Sequence, residues 1–232
     1  MRTIWMIAVA GVFSMGLLLA GGCGRPAGLK GCWTFDEGAG DAVKNAVGPN
    51  HGRIQDGLKW TDGKRGKAVA FDGKGYVLID SAPCLGSAQY TFAAWVKLKD
   101  TGNYHYIVWR GGPAFPEAGE CRNLDIWVRT DGGLSGILDY QKQGGPRFLL
   151  AGAKKVADDQ WHLVVCVNDG KTVRFYVDGR KDAEGALAGP LARNDHPLWI
   201  GARPANVAAT GIIDEVRFFD RALTEEEVAK LK

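Results

Sequence analysis

Little in this chain of 232 residues suits metal or redox chemistry: it has five cysteines, four histidines and three methionines. No two cysteines form a C-x-x-C pair, so the usual zinc spacing is excluded. His51, His105, His162 and His196 are scattered, without partners at the spacing of a zinc site or a catalytic triad. His162, beside Trp161 at the start of an apolar run, reads as a hydrogen-bonded residue at a core edge. Charge of one sign is also scarce. The net charge is +3 and no basic run occurs, which excludes the clustered footprint of a nucleic-acid partner. Nothing alternates strand with long helix, so a parallel α/β sheet is excluded. No internal repeat and no proline- or serine-rich linker divides the mature chain.

Glycine and tryptophan are plentiful, at 33 and eight residues. The glycines punctuate short runs rich in aromatic and β-branched residues: "KAVAFDGKGYVLID", "YTFAAWVKLKD", "YHYIVWRGG", "LDIWVRTDGGLSGILDY", "WHLVVCVND", "TVRFYVDGRK", "PLWIGAR" and "GIIDEVRFFD". That pattern predicts a single all-β domain of packed antiparallel strands. Phe92, Ala94, Val96 and Leu98 alternate on one side of their strand, as do Val173, Phe175 and Val177, giving inner faces for two sheets. Asp178-Gly179 stands where a tight hairpin needs positive φ. The one predicted helix is the tail, where Thr224 and Glu227 form a capping box and Val228 and Leu231 share a docking face.

Residues 1–22 carry one basic residue and an apolar stretch ending in small residues, the pattern of an export signal. A cysteine follows at once, so the segment resembles a bacterial lipoprotein signal, in which Cys23 is lipidated and becomes the new N-terminus. Ala20 departs from the leucine usual there, and ordinary cleavage after Gly22 is the alternative. The first reading predicts a cell-envelope protein anchored by lipid alone at the outer membrane or cell surface. The second predicts a secreted or periplasmic one. Residues 23–28 are then a short linker and 29–232 the domain. Of the remaining cysteines, Cys84 and Cys121 fall in apparent loops and are expected to form a disulfide. Cys32 and Cys166 lie on strands, and Cys166 suits a buried thiol as well as a bridge.

"GCWTFDEGAG", "GKAVAFDGKGYVLI", "YTFAAWVKLK", "WHLVVCVNDGKTVRFYVDG" and "IIDEVRFFDRALTEEEV" occur in that order. Together they resemble laminin G-like, concanavalin A-like domains of exported bacterial proteins. The resemblance covers nearly all of the chain from Leu29 onward and implies a two-sheet antiparallel jelly-roll sandwich with a short C-terminal helix. It does not by itself give a ligand.

Catalysis is not expected. A retaining glycosidase needs two carboxyl groups about 5–5.5 Å apart, and enzymes of this fold carry them on one strand as E-x-D-x-E or a near variant. Asp214 and Glu215 are adjacent and so expected on opposite faces, while Glu120 and Asp125 have no acid between them. For Asp214, in the middle of an apolar strand, two readings stand. It accepts backbone amides or meets Arg221, or it shares a structural calcium with Asp36, with Asp72 nearby, as the resemblance implies.

The candidate binding residues come from alternation. If Leu124, Ile126 and Val128 face the core, then Asp125, Trp127 and Arg129 face away. Arg174 and Tyr176 do the same on their strand, and Asp139 and Tyr140 pair an acid with an aromatic ring. Rings with fixed polar groups suit sugars, although Trp127 would equally fill a half-covered sheet surface. The expected function is a non-catalytic surface module binding polysaccharide or glycoprotein. The alternative is a structural or adhesion module for a protein partner, with a glycan hydrolase or lyase disfavoured.

Overall fold

The computed structural model describes residues 26–80, 88–111, 122–140, 147–204 and 207–232. The signal segment, Cys23, and the expected bridge between Cys84 and Cys121 lie outside the described residues. In chain order the strands are β1 (Leu29–Trp33), β2 (Ala42–Val43), β3 (Gly52–Gln55), β4 (Lys59–Asp62), β5 (Lys67–Asp72) and β6 (Tyr76–Ile79). Next come β7 (Tyr90–Leu98), β8 (His105–Arg110), β9 (Leu124–Val128), β10 (Gly133–Asp139), β11 (Arg147–Lys155) and β12 (His162–Asn168). The last are β13 (Thr172–Val177), β14 (Arg180–Ala186), β15 (Leu198–Ile200), β16 (Ala202–Arg203), β17 (Val207–Ala208), β18 (Thr210–Phe219) and the helix α1 (Glu225–Ala229).

Two antiparallel sheets form the jelly-roll sandwich. The first runs β14-β13-β12-β7-β18-β5-β4, with β1 also on β18; the second runs β11-β10-β9-β8-β15-β6-β3-β2. Alternation on the long strands builds one core between them. Phe92, Ala94, Val96 and Leu98 of β7 and Val173, Phe175 and Val177 of β13 meet Leu124, Ile126 and Val128 of β9 there. Cys166 lies in the same core as a free thiol, its pKa pushed up to about 12 by burial. Cys32 is buried on β1. The tight turn after β13 forms as expected, with Asp178 at φ 52° and Gly179 at φ 73°. The Asp178 carboxylate accepts from the Leu163 amide at 3.0 Å and meets His162 Nδ1 at 2.8 Å, with Asp158 on Nε2 at 3.1 Å.

One outer face of the sandwich is closed by the chain's own C-terminal segment. On the first sheet's outer face, Ala93, Trp95, Leu163, Val165 and Tyr176 pack under Phe219, Leu223 and Val228, so the C-terminal segment is a lid. Its cap is reciprocal: Thr224 Oγ1 accepts from the Glu227 amide at 3.3 Å and Glu227 Oε2 accepts from the Thr224 amide at 3.0 Å. Arg221 grips the same carboxylate twice, at 2.7 and 2.6 Å. Those bonds hold the Glu227 carboxyl down at about 2. Elsewhere, Asp182 on the edge strand β14 accepts from the Ala153 and Lys154 amides of β11, tying the two sheet edges together.

The cap sets an order of effects. Thr224→Ala is expected to cost about 1 kcal/mol of stability in urea unfolding. Glu227→Ala is expected to cost more, because it removes the cap and the Arg221 pair together; equal losses would show that Arg221 contributes nothing.

Candidate functional site

The second sheet carries a layer of aromatic rings on its outer face. Strand β9 places Trp127 there, as alternation predicts, and β8 adds Tyr106 and Trp109. These two are three residues apart and share a face because the register shifts between Tyr106 and Val108, a bulge that leaves both Ile107 and Val108 in the core. Trp199 on β15 pairs with Trp109 in register, and Tyr76 on β6 continues the row. Tyr106 stacks on Trp127 with centroids 5.8 Å apart and meets Trp109 edge-on at 6.5 Å. Tyr76 stacks on Trp199 at 4.1 Å.

Burial grades along this row. Trp109, Tyr106 and Trp127 are 1%, 8% and 8% exposed, whereas Tyr76 and Trp199 are partly exposed. Guanidinium groups lie over the buried end, Arg203 Cζ at 4.9 Å from the Tyr106 centroid and Arg122 Cζ at 5.9 Å from that of Trp109. Burial, reinforced by the charge of Asp125, pushes the Tyr106 hydroxyl up to about 12. The Trp109 indole N–H is buried with no acceptor among the described residues. The sequence pattern missed Tyr76, Tyr106, Trp109 and Trp199. The bulge hides two of them, and only strand order brings the other two alongside.

The other expected binding residues scatter. Arg129 is spent on Asp131, the Leu134 carbonyl at 2.6 Å and the Gly152 carbonyl at 3.1 Å. Asp139 is on the same sheet, but Arg122 holds it through Nε at 3.0 Å and Nη2 at 3.2 Å. Tyr140 packs on the main core, and its hydroxyl accepts from the Ala188 amide at 3.0 Å. Arg174 and Tyr176 do point away from the core, but on the opposite sheet. There Arg174 pairs with Asp169 and Glu184, and Tyr176 is sealed under the helix lid. They cannot share a ligand surface with Trp127.

The acids of β18 form a different cluster. Asp214 and Glu215 were expected on opposite faces; instead the register against β7 shifts between Asp214 and Arg217, with Glu215 at φ 52°. Ile213 and Val216 both enter the core, and the two carboxylates gather on the outer side. Glu215 bonds Arg217 and lies 3.8 Å from Arg65. Asp214 Oδ2 accepts from the Arg65 amide at 3.1 Å and Oδ1 from the Glu215 amide at 2.7 Å. Asp36 Oδ1 accepts from the Lys67 amide at 2.9 Å. The turn between β4 and β5 is thus clamped by both acids. A Cβ on Gly63 would stand 2.6 Å from Asp214 Oδ2, and one on Gly66 would collide with the Asp36 carboxylate, so glycine is required at both places. Arg221 pairs with Glu227, not with Asp214.

This arrangement does not fit the calcium set of Asp36, Asp72 and Asp214. Asp72 pairs with Thr210, four residues up β18 from Asp214, and caps its own turn by accepting from the Lys74 amide at 3.1 Å. Asp36 and Asp214 face amide donors, and the guanidinium groups of Arg65 and Arg217 already stand beside Glu215. Among the described residues, no group of three or more His, Cys, Asp or Glu is placed to hold a metal.

A third feature lies at one end of the sandwich. The segment after β14 crosses from the first sheet to the second as a strap, held by the Ala192 amide on the Asp139 carbonyl at 2.8 Å and by a bridge between Tyr140 and Leu191. Beneath it is a crevice of about 80 Å³ lined by Tyr90, Asn123, Asn168, Leu187, Pro190 and Leu191, among others. Asn123 is 3% exposed, yet neither Oδ1 nor Nδ2 has a partner among the described residues. Leaving such a group unsatisfied costs about 1–3 kcal/mol.

The sequence profile of a laminin G family, described as the concanavalin A-like lectin/glucanases superfamily, matches residues 71–229. Comparison with curated proteins gives no sequence match. Among solved structures, the binding domain of Paraclostridial Mosquitocidal Protein 1 superimposes with a TM-score of 0.71 at 16% identity, over 88% of this chain and 51% of that one. Domain 4 of AbnA, a GH43 extracellular arabinanase from Geobacillus stearothermophilus in complex with arabinotriose, gives 0.66 at 22% identity, over 88% and 97%. Trypanosoma rangeli sialidase gives 0.65 at 15% identity, over 89% of this chain and a third of its own length, 33%.

Two measurements test the acid clamp. Burial, more than any neighbouring charge, raises Asp214 to about 7, and it raises Glu215 as well. A free carboxyl titrates near 4, so between about pH 4.5 and 7 the folded state holds a proton that the unfolded chain has lost. The stabilising contribution is full below that window and is lost as pH rises through it. Melting temperature is expected to fall from pH 4.5 to 7 and to fall less steeply in Asp214→Asn; identical slopes would refute the shift. Because the acids face amides, chelator and added calcium are expected to leave the melting temperature unchanged. A rise that grows with free calcium would put an ion there.

Proposed function

Because the chain belongs to the concanavalin A-like lectin/glucanases superfamily, we propose that it is a non-catalytic module that binds a polysaccharide or glycoprotein glycan through the aromatic face of its second sheet. The observation that carries this reading is the ring row itself, which ends in the partly exposed, stacked pair of Tyr76 and Trp199. A sugar presents an apolar face to a ring and hydroxyls to its surroundings. Rings already locked by stacking lose little freedom when it binds. Trp127, Tyr106 and Trp109 form the base that holds the exposed pair in place, with Asp125 as the buried polar member.

The acids support the absence of catalysis. Asp214 and Glu215 are on the other sheet, enclosed by the clamped turn and by Arg65 and Arg217, whereas glycoside cleavage needs two carboxyls flanking an open sugar site. Two structural neighbours support a binding role: one is the binding domain of a mosquitocidal protein, and another is an arabinanase domain in complex with arabinotriose. Lipidation at Cys23, with the cell envelope as location, completes the proposal and would hold the module at the surface through acyl chains alone.

Retention on insoluble polysaccharides, followed by a glycan array, tests this. Trp199→Ala is expected to weaken binding roughly thirtyfold, about 2 kcal/mol, and to lower the melting temperature less than Trp127→Ala does, because the ring is only partly buried. Trp127→Ala, which empties a buried site, is expected to cost about 3–5 kcal/mol of stability. Binding by stacking should also persist in high salt. Full affinity in Trp199→Ala, or capture of a protein partner with no glycan retained, would overturn the reading.

A further inference from the structure

We propose that the first sheet, beyond the reach of its lid, presents a basic face that lies against an anionic lipid surface. The inference does not rest on the glycan reading. The C-terminal segment packs on the outward residues of the first sheet as far as Trp95 of β7. Further along, water reaches them: Lys59 and Lys99 are exposed, and Ala70, Lys97, Trp161 and Ile212 are partly exposed. Register sets their order. Lys59 of β4 stands opposite Ala70 of β5, Ala70 opposite Ile212 of β18, and Ile212 opposite Lys97 of β7. Their strand neighbours Val69, Phe71, Val96, Leu98 and Ile213 are in the core, so the row points outward. Three strand spacings put Lys59 and Lys97 about 14 Å apart. Lys99 continues the outward side of β7, its amide donating to the Thr210 carbonyl at 3.1 Å. Lys64 reaches over the same face from the turn between β4 and β5, its ammonium 4.3 Å from the Trp95 ring centroid.

Charge and shape select the occupant. Lys30, Lys67, Lys155 and Lys181 each pair with a carboxylate; among the described residues, none of the lysines of this face does. The acids nearby are engaged, Asp62 with Lys67 at 2.7 Å and Asp72 with the Lys74 and Gly75 amides, while Asp214 is buried. The face is therefore positive around a floor of Ala70 and Ile212. The pair of His162 with Val96 places the Trp161 ring beside Lys97. A polymer chain follows a line and would meet Lys59 and Lys97 but not Lys64 and Lys99 as well. A layer of phosphate headgroups meets all of them. Lysine stems can lie over the apolar floor with their ammonium groups among the headgroups, and a partly exposed tryptophan suits the boundary of water and lipid. Leu29 opens β1 on this same sheet, so an acyl group at Cys23 would hold the sheet within about 20 Å of a bilayer. The aromatic row, on the opposite sheet, would then face away from the lipid.

The test is co-sedimentation of the chain from Gly24 to Lys232, which carries no acyl group, with vesicles of phosphatidylcholine and phosphatidylglycerol or of phosphatidylcholine alone. Sedimentation is expected with the anionic vesicles only, and release at about 1 M salt, where charges are screened beyond about 3 Å. Each lysine near an anionic surface strengthens partitioning about fivefold, so Lys59→Gln with Lys97→Gln should weaken it about 25-fold. Glutamine keeps part of each stem, and the melting temperature should not move. Lys44→Gln with Lys171→Gln removes the same charge from exposed positions outside the face and should change little. No sedimentation with either vesicle, equal sedimentation with both, or an equal loss in the two double variants would overturn the inference. Tighter capture by polygalacturonate, abolished by the first double variant, would assign the face to an acidic polysaccharide and overturn it too. Trp199→Ala, on the opposite sheet, should leave vesicle binding unchanged, so this inference and the glycan reading can each fail alone.

Discussion

Strand β18 is the constraint on which the rest of the sandwich depends. It pairs with β7 along almost its whole length, but on its other side it changes partner, from β5 at Thr210–Ile213 to β1 at Val216–Phe219. A change of partner leaves a gap in the ladder, and the backbone there needs another use for its amides. The bulge at Glu215 fills that gap. It turns two acids and Arg217 to the same side, where they seize the turn between β4 and β5. The clamp costs burial of charge, which shows as the raised carboxyls of Asp214 and Glu215. It is a junction in the fold, and its acidity follows from enclosure.

The junction also decides which surface is free. Beyond Phe219 the chain turns back over the first sheet, and Leu223 and Val228 cover Trp95 and Tyr176. That sheet has spent its outer aromatic residues on holding the tail. No comparable helix covers the second sheet among the described residues, so the row from Trp127 to Tyr76 ends in rings that water reaches. Among the described residues, the helix caps only one of the two sheets.

Local patterns were legible in the sequence wherever one strand or one turn decided the outcome. The inward sets on β7, β9 and β13, the hairpin at Asp178-Gly179 and the capping box at Thr224 are all of this kind. What could not be read depends on bulges and on strand order. A bulge breaks the period of two without changing composition, which hid the pairing of Tyr106 with Trp109 and wrongly parted Asp214 from Glu215. Strand order is a long-range property, so the outward residues Trp127 and Tyr176 looked alike in the sequence although they belong to opposite sheets. Asn123 carries no signal in the sequence at all. An unpaired amide is visible only once its surroundings are in place.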